Sequence, residues 1–288
     1  MKKILVVGAN GQLGNCLQRI AYDYEWDYRF LFVGSPELDI TDRDAVLDFF
    51  EEEKPDFCIN AAAYTAVDLA EKEPEQAFTV NAEGPGNLAE ASKETGTVLI
   101  HISTDYVFDG ETQISYSEDN FTNPLGVYGA SKLKGEELAL EANPKTIVIR
   151  TSWLYSEYSR NFVKTMLNLF EEKEEIGVVG DQFGQPTNAN DLADAIIKII
   201  ASDRKTYGVF HYSNYPETTW YDFAAKIAEY SGSGIRIKSL PTAEYPTPAK
   251  RPVRSTMCLD KIEKHYNIDL RHWENSLQDC VENLMDTT

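Results

Sequence analysis

The feature that most restricts this chain is a glycine-spaced turn very near its start. The apolar run Ile4 to Val7 leads straight into Gly8-Ala9-Asn10-Gly11-Gln12-Leu13-Gly14, and an amphipathic stretch follows over 13–22. A short Ile/Leu/Val run bounded by glycine reads as a buried strand, and the spacing after it reads as a helix. Gly8, Gly11 and Gly14 therefore stand where a strand turns into a helix. Glycine permits a tight turn there and lets backbone approach a ligand, while the helix N-terminus favours an anion such as a pyrophosphate. A glycine triplet alone says little; its place directly after the first strand gives it weight. The expected ligand is a dinucleotide.

The chain beyond the turn repeats the same alternation. Strand-like runs occur at 3–7, 28–33, 57–60, 97–102 and 146–150, with helical patterns near 13–22, 43–53, 75–93 and 131–141. Strand then helix, repeated, implies an α/β fold with a doubly wound parallel sheet of Rossmann type. After residue 151 the rhythm loosens. Helical patterns recur near 160–173, 190–201 and 219–230, separated by loops at 180–187, 213–218 and 241–252. The predicted division is a nucleotide-binding domain over 1–150, completed by 180–210, and a smaller C-terminal α/β substrate lobe over 151–179 and 211–288.

Charge narrows the ligands. With 27 Lys and Arg against 47 Asp and Glu, the formal charge is −20. That field repels nucleic acid and anionic membrane, so neither is an expected partner. An anionic small molecule must then be held by local devices. Cys16, Cys58, Cys258 and Cys280 are scattered without a metal-ligand spacing, so reduced thiols and no metal are expected. The short apolar start runs into glycines instead of a signal-peptide core, which reads as cytoplasmic.

The second strand ends Val33-Gly34-Ser35, with neither the acid nor the arginine that reads a ribose 2′ position. A missing acid removes an obstacle to a 2′-phosphate and tilts the choice toward NADPH over NADH. Asp39-Ile40 lines an adenine pocket, or this loop simply caps the next helix through Thr41 or Asp42. Asn60-Ala61-Ala62-Ala63 ends the third strand with side chains small enough for a cofactor to lie against. Asn81 is polar within an apolar helical pattern and reads as a structural hydrogen-bonder beside the site.

The chemical centre is Tyr128-Gly129-Ala130-Ser131-Lys132. Residues four apart share a helix face, so Tyr128 and Lys132 project together. A nearby ammonium is expected to lower the phenol's pKa from its usual 10 or so, making a proton donor and acceptor for carbonyl–alcohol interconversion. Thr104, at the end of the fourth strand, is placed to hydrogen-bond a carbonyl oxygen, or else caps a turn.

Together, GANGQLG, NAAAYTAVDLAE, STDYVFDG, PLGVYGASKLKGE, RTSWLY, DQFGQPT and YPTPAKRP resemble the dTDP-4-dehydrorhamnose reductase family over essentially the whole chain. The resemblance implies an oxidoreductase that reduces the 4-keto group of dTDP-4-dehydro-β-L-rhamnose with NADPH or NADH. It implies cofactor contacts from Gly8, Gly11, Gln12, Leu13, Gly14, Asp39, Ile40, Ala62, Ala63 and Tyr64. Tyr128 becomes the proton donor with Lys132 as partner, Thr104 and Asp105 meet the sugar, and Trp153 offers a flat wall to it. In the C-terminal lobe Lys250, Arg251 and Arg254 form a proline-stiffened basic loop, with Arg251 the candidate for the phosphates. Some relatives hold Mg2+ through glutamates at a dimer contact; Cys16 and Asn190 stand at the matching positions here, and the chemistry requires no metal. A monomer or a homodimer is expected.

Two other readings stay open at this point. One is another reductase, epimerase or dehydratase of the same extended short-chain class, although Tyr106 stands where a dehydratase wants a second acid. The other is a regulatory subunit of the methionine adenosyltransferase type, which keeps the fold without the turnover.

Overall fold

The computed structural model describes residues 1–203 and 205–286. Strand β1 (Lys2–Val7) is followed by α1 (Gln12–Ala21), β2 (Tyr28–Val33), α2 (Arg43–Glu53) and β3 (Phe57–Asn60). Next come α3 (Val67–Ala70), α4 (Pro74–Phe78), α5 (Gly84–Thr95), β4 (Val98–Thr104), α6 (Val127–Ala142) and β5 (Thr146–Thr151). The chain continues through β6 (Leu154–Tyr155), α7 (Phe162–Glu172), β7 (Glu175–Val179), β8 (Phe183–Gly184), β9 (Thr187–Asn188) and α8 (Ala189–Ala201). It ends with β10 (Gly208–His211), β11 (Thr218–Thr219), α9 (Trp220–Tyr230), β12 (Arg236–Leu240), α10 (Asp260–Tyr266) and α11 (Trp273–Asp286).

Six strands form one parallel sheet in the order β2-β1-β3-β4-β5-β10. Successive strand residues point to opposite faces, and both faces are covered. Ile4, Val6, Ile59, Ile100, Ile147 and Ile149 pack on one side against α1, α8 and α10. Leu5, Val7, Cys58 and Leu99 pack on the other against α2, α5 and α6. The strand order reverses between β1 and β3, and ligands of open α/β sheets sit at such a point, beyond the carboxyl ends of the strands.

A further hydrophobic cluster brings together Tyr155, Val163, Met166, Phe223, Ile227, Trp273 and Leu277. Short two-stranded ribbons tie it together: β7 with β12, β8 with β11 and β6 with β9. Among the described residues no helix is long and apolar enough to cross a membrane. All four cysteines are unpaired.

Two helices differ from expectation. The pattern over 75–93 predicts one helix, but α4 and α5 are joined by a π-type segment, Thr79–Glu83. Pro85 is the reason: its ring cannot sit over the carbonyl four residues back in a regular helix, and a widened turn relieves the clash. The Asn81 carbonyl then comes so close to α6 that a Cβ on Gly135 would stand 2.0 Å from it. The second helix, α6, begins at Val127 and not near 131, which puts Tyr128 inside its first turn.

Candidate active site

Three cavities run together across the carboxyl ends of the strands. The first, about 290 Å³, is lined by Gly8, Gly11, Gly34, Ser35, Asp39, Ile40 and Ala61 to Ala63. The second, about 530 Å³, shares Gly11 and Ala61 to Ala63 with it and adds Gln12, Leu13, Thr104, Asp105, Tyr128, Lys132, Trp153 and Trp220. The third, about 340 Å³, shares Trp220 and holds Gln182, Tyr245, Thr247 and Arg251 against α7 and β7.

The glycine turn is built for close backbone. Gly8 has φ +78°, and a Cβ there would stand 2.5 Å from the Ala62 nitrogen. A Cβ on Gly14 would lie 2.4 Å from the Ala9 carbonyl, so the helix can start tight under the loop only with glycine. Gly14 itself lines none of these cavities; it supports the turn from below. Gln12 reaches across to the segment before α7, where its side-chain carbonyl oxygen accepts from Ser156 Oγ at 3.0 Å and Asn161 Nδ2 at 3.1 Å. Asp39 accepts from Thr41 N at 2.9 Å, and Asp42 caps α2 by accepting from Ala45 N at 3.1 Å.

Strand β4 and helix α6 bring the reactive groups together. Lys132 Nζ donates to the Ile102 carbonyl at 2.6 Å. Thr104 Oγ1 donates to Asp105 Oδ1 at 3.1 Å and accepts from Tyr106 N at 3.2 Å, so it caps a turn and also faces the cavity. Tyr106 and Tyr128 meet edge to face at 5.8 Å. Gly129 is required for this approach, since its Cβ would lie 2.2 Å from the Tyr106 carbonyl. No side chain of its own caps α6 at Gly126; Glu71 Oε1 accepts from Val127 N at 2.8 Å instead.

The sequence of this chain matches the family described as the RmlD substrate binding domain over residues 1–285. A dTDP-4-dehydrorhamnose reductase of Aggregatibacter actinomycetemcomitans is 42% identical, with 96% of this chain and 98% of the relative covered. The chain belongs to the RmlD family. A solved dTDP-4-dehydrorhamnose reductase of Clostridium acetobutylicum superposes with TM-score 0.94 at 41% identity, covering 98% of this chain and 99% of that one. That of Bacillus anthracis, solved in complex with NADP, gives TM-score 0.93 at 39% identity over all of both chains.

Within this RmlD-family site, electrostatics departs from the expectation for Tyr128. Burial pushes its phenol up to about 12, the neighbouring Asp105 charge adds to this, and a hydrogen bond with Thr104 works against it. Lys132, expected to lower it, does not offset the burial, and its ammonium donates to the Ile102 carbonyl. Burial brings Lys132 down to about 8, with Glu136 pulling it back up. Tyr128 is thus a neutral acid at physiological pH. Asp105 is raised from 3.8 to about 6 by burial, against which Ser255 and Thr104 act from beside it.

Burying this carboxylate has a cost that titrates. Its folded pKa lies above the unfolded one, so its contribution to stability is complete below about pH 4 and is lost as pH rises through about 6. Asp105→Asn is expected to melt at a higher temperature than the parent at pH 8 and at the same temperature near pH 4. Melting curves at the two pH values check this; a variant with no advantage at pH 8 would remove the argument.

The remaining candidates lie outside the cavity that holds Tyr128. The Tyr64 side chain lines none of the three cavities; its hydroxyl donates to Glu73 at 2.7 Å while its backbone is held by Asn81. Asn81 is therefore the structural hydrogen-bonder the sequence suggests. Arg251 stands in the third cavity, apart from Tyr128, and is paired with Asp68. Arg254 pairs with Glu217 at 2.8 Å, and Lys250 is exposed, so the basic loop is not a single cationic cluster.

Two residues were not anticipated. Trp220 stacks on Trp153 at 3.5 Å, and Gly184 leaves room for the pair, since a Cβ there would meet the Trp153 ring at 2.6 Å. Trp153 is held at φ +45°, a left-handed backbone that costs about 1–3 kcal/mol and persists only where packing enforces it. Glu37 folds back so that its carboxylate accepts from Gly34 N at 2.9 Å, placing an acid at the tip of β2. An aromatic at the start of α9 and an acid directly after Pro36 were the available signals. Among the described residues no group of three His, Cys, Asp or Glu side chains could hold a metal ion.

Proposed function

We propose that this chain reduces the 4-keto group of dTDP-4-dehydro-β-L-rhamnose to give dTDP-L-rhamnose, in the cytoplasm and as a monomer or homodimer. The carrying observation is that Tyr128, Thr104 and Lys132 meet in the cavity that the glycine turn enters. The cradle fits NADPH or NADH: a backbone approach that any Cβ at Gly8 would block, beside small side chains at Ala62 and Ala63. Gly8, Gly11, Gln12 and Leu13 would hold the pyrophosphate side, Asp39 and Ile40 the adenine, and Lys132 the ribose. When bound, the cofactor supplies the hydride.

The chain's own groups do the rest. Tyr128 Oη carries a proton at neutral pH and gives it to the sugar oxygen as charge develops there. Thr104 turns its single hydroxyl hydrogen from Asp105 to the same oxygen, steadying that charge. Once Tyr128 has lost its proton, Lys132 stabilises the phenolate from one helical turn away. Asp105 accepts from a sugar hydroxyl. The Trp153–Trp220 stack walls the sugar, and Arg251 meets the diphosphate in the next cavity.

The test is direct. Purified protein is mixed with dTDP-4-dehydro-β-L-rhamnose, and oxidation of NADPH and then NADH is followed with chromatography of the product. Formation of dTDP-L-rhamnose is expected. Cofactor binding without turnover of this sugar would overturn the reading.

A further inference from the structure

The strongest observation outside the reacting groups is how Arg251 is held. Its Nη1 donates to Asp68 Oδ1 at 3.1 Å and to the Ala249 carbonyl at 3.2 Å, and also reaches Thr247 Oγ1. Its Nη2 donates to Asp68 Oδ2 at 2.9 Å. A guanidinium carries five N–H groups in two usable forks, one across Nη1 and Nη2 and one across Nε and Nη2. Asp68 takes the first fork. Among the described residues no acceptor engages Nε or the second Nη2 hydrogen. The side chain lines the third cavity.

Asp68 is itself anchored. It lies on α3, three residues before Glu71, and Glu71 caps the helix that carries Tyr128. Asp68 also accepts from Ala249 N at 3.1 Å, which fixes the loop that bears Arg251. One helical turn thus holds the start of the catalytic helix at one end and the arginine loop at the other.

We propose that Asp68 is a positioning residue for substrate binding: by clamping one fork of Arg251, it aims the remaining fork at the diphosphate. The inference rests on the function proposed above. It opposes the simple electrostatic expectation. A carboxylate beside a phosphate site repels the phosphate, so removing its charge should tighten binding if charge alone mattered. If Asp68 instead fixes direction, removing it loosens binding, because a freed guanidinium must be ordered again each time.

The two accounts predict opposite signs. Calorimetric titration of the full chain with dTDP is expected to show about tenfold weaker binding for Asp68→Asn, a matching rise in KM for the keto-sugar, and kcat within about twofold, the pattern of lost uniform binding. In an Arg251→Ala background the same change should add nothing. NADPH affinity and the melting temperature report whether the variant folds; if Asp68→Asn does not, Asp68→Glu replaces it, with a smaller loss of dTDP affinity expected. Equal or tighter dTDP binding by a folded variant overturns the inference alone. A fall in kcat with KM unchanged also overturns it. A wild-type chain that does not bind dTDP overturns the substrate reading and the inference with it.

Discussion

Tyr128→Phe is expected to lower kcat about a thousandfold, within the range for losing one general acid, while leaving NADPH affinity within about twofold. The substitution removes one oxygen and keeps the ring, so the edge-to-face contact with Tyr106 at 5.8 Å survives. Loss of turnover then reports the proton and not the packing. The sign of the pKa matters here. A phenol raised to about 12 keeps its proton throughout the neutral range, which suits the direction of reduction. As it loses that proton, the Lys132 ammonium one turn away stabilises the developing phenolate. Single-turnover kinetics and fluorescence titration with NADPH check the two halves separately. A variant with unchanged kcat would take Tyr128 out of the mechanism.

Glu136→Gln is expected to cost about 3–5 kcal/mol of stability, the range for removing one partner of a buried ion pair. Glu136 and Arg150 are joined at 2.7 and 2.9 Å, with side chains only 3% and 5% exposed. Ser103 donates to the same carboxylate, and Arg150 lies 5.1 Å from the centre of the Phe108 ring. His211, lowered to about 3 by burial and by Arg150, stays neutral and adds no competing charge. Neutralising the acid strands the guanidinium where water does not reach. Urea unfolding measures the loss, and Glu136→Leu with Arg150→Met should recover most of it. A loss below about 1 kcal/mol, the value of an exposed pair, would mean that the site hydrates.

The sheet was largely legible because its strands are covered on both faces. Runs such as KILVV and TIVIR have no alternative use in a soluble chain, and all five expected strands are present in parallel pairing. The smaller lobe was much less legible. RIKSL in β12 is mostly exposed and pairs only with β7, so burial leaves little pattern in it. The helices α10 and α11 were not read from the sequence at all.

The site divides the same way. Tyr128, Lys132 and Thr104 follow from local spacing, because one helix turn and one strand end set their directions. Arg251 with Asp68 and Trp153 with Trp220 depend on contacts between residues 183 and 67 positions apart in sequence, which no local pattern encodes. The phenol's pKa failed for a related reason. Spacing predicts that Lys132 is near, but not that burial of the phenol outweighs it or that the ammonium donates to the Ile102 carbonyl.

The sheet also sets a timetable for synthesis. Its first five strands are complete at Thr151, but β10, which closes the edge beside β5, begins at Gly208, and α8, which covers one face, begins at Ala189. At about 5–20 residues per second, the 60 residues from 151 to 211 take roughly 3–12 s to emerge from the ribosome. During that interval a nascent chain has β5 as an open strand edge and Ile147 and Ile149 without their cover from α8. The arriving α8 and β10 therefore act on the growing chain as a late internal chaperone, and a translational pause before Ala189 would lengthen its exposure to aggregation.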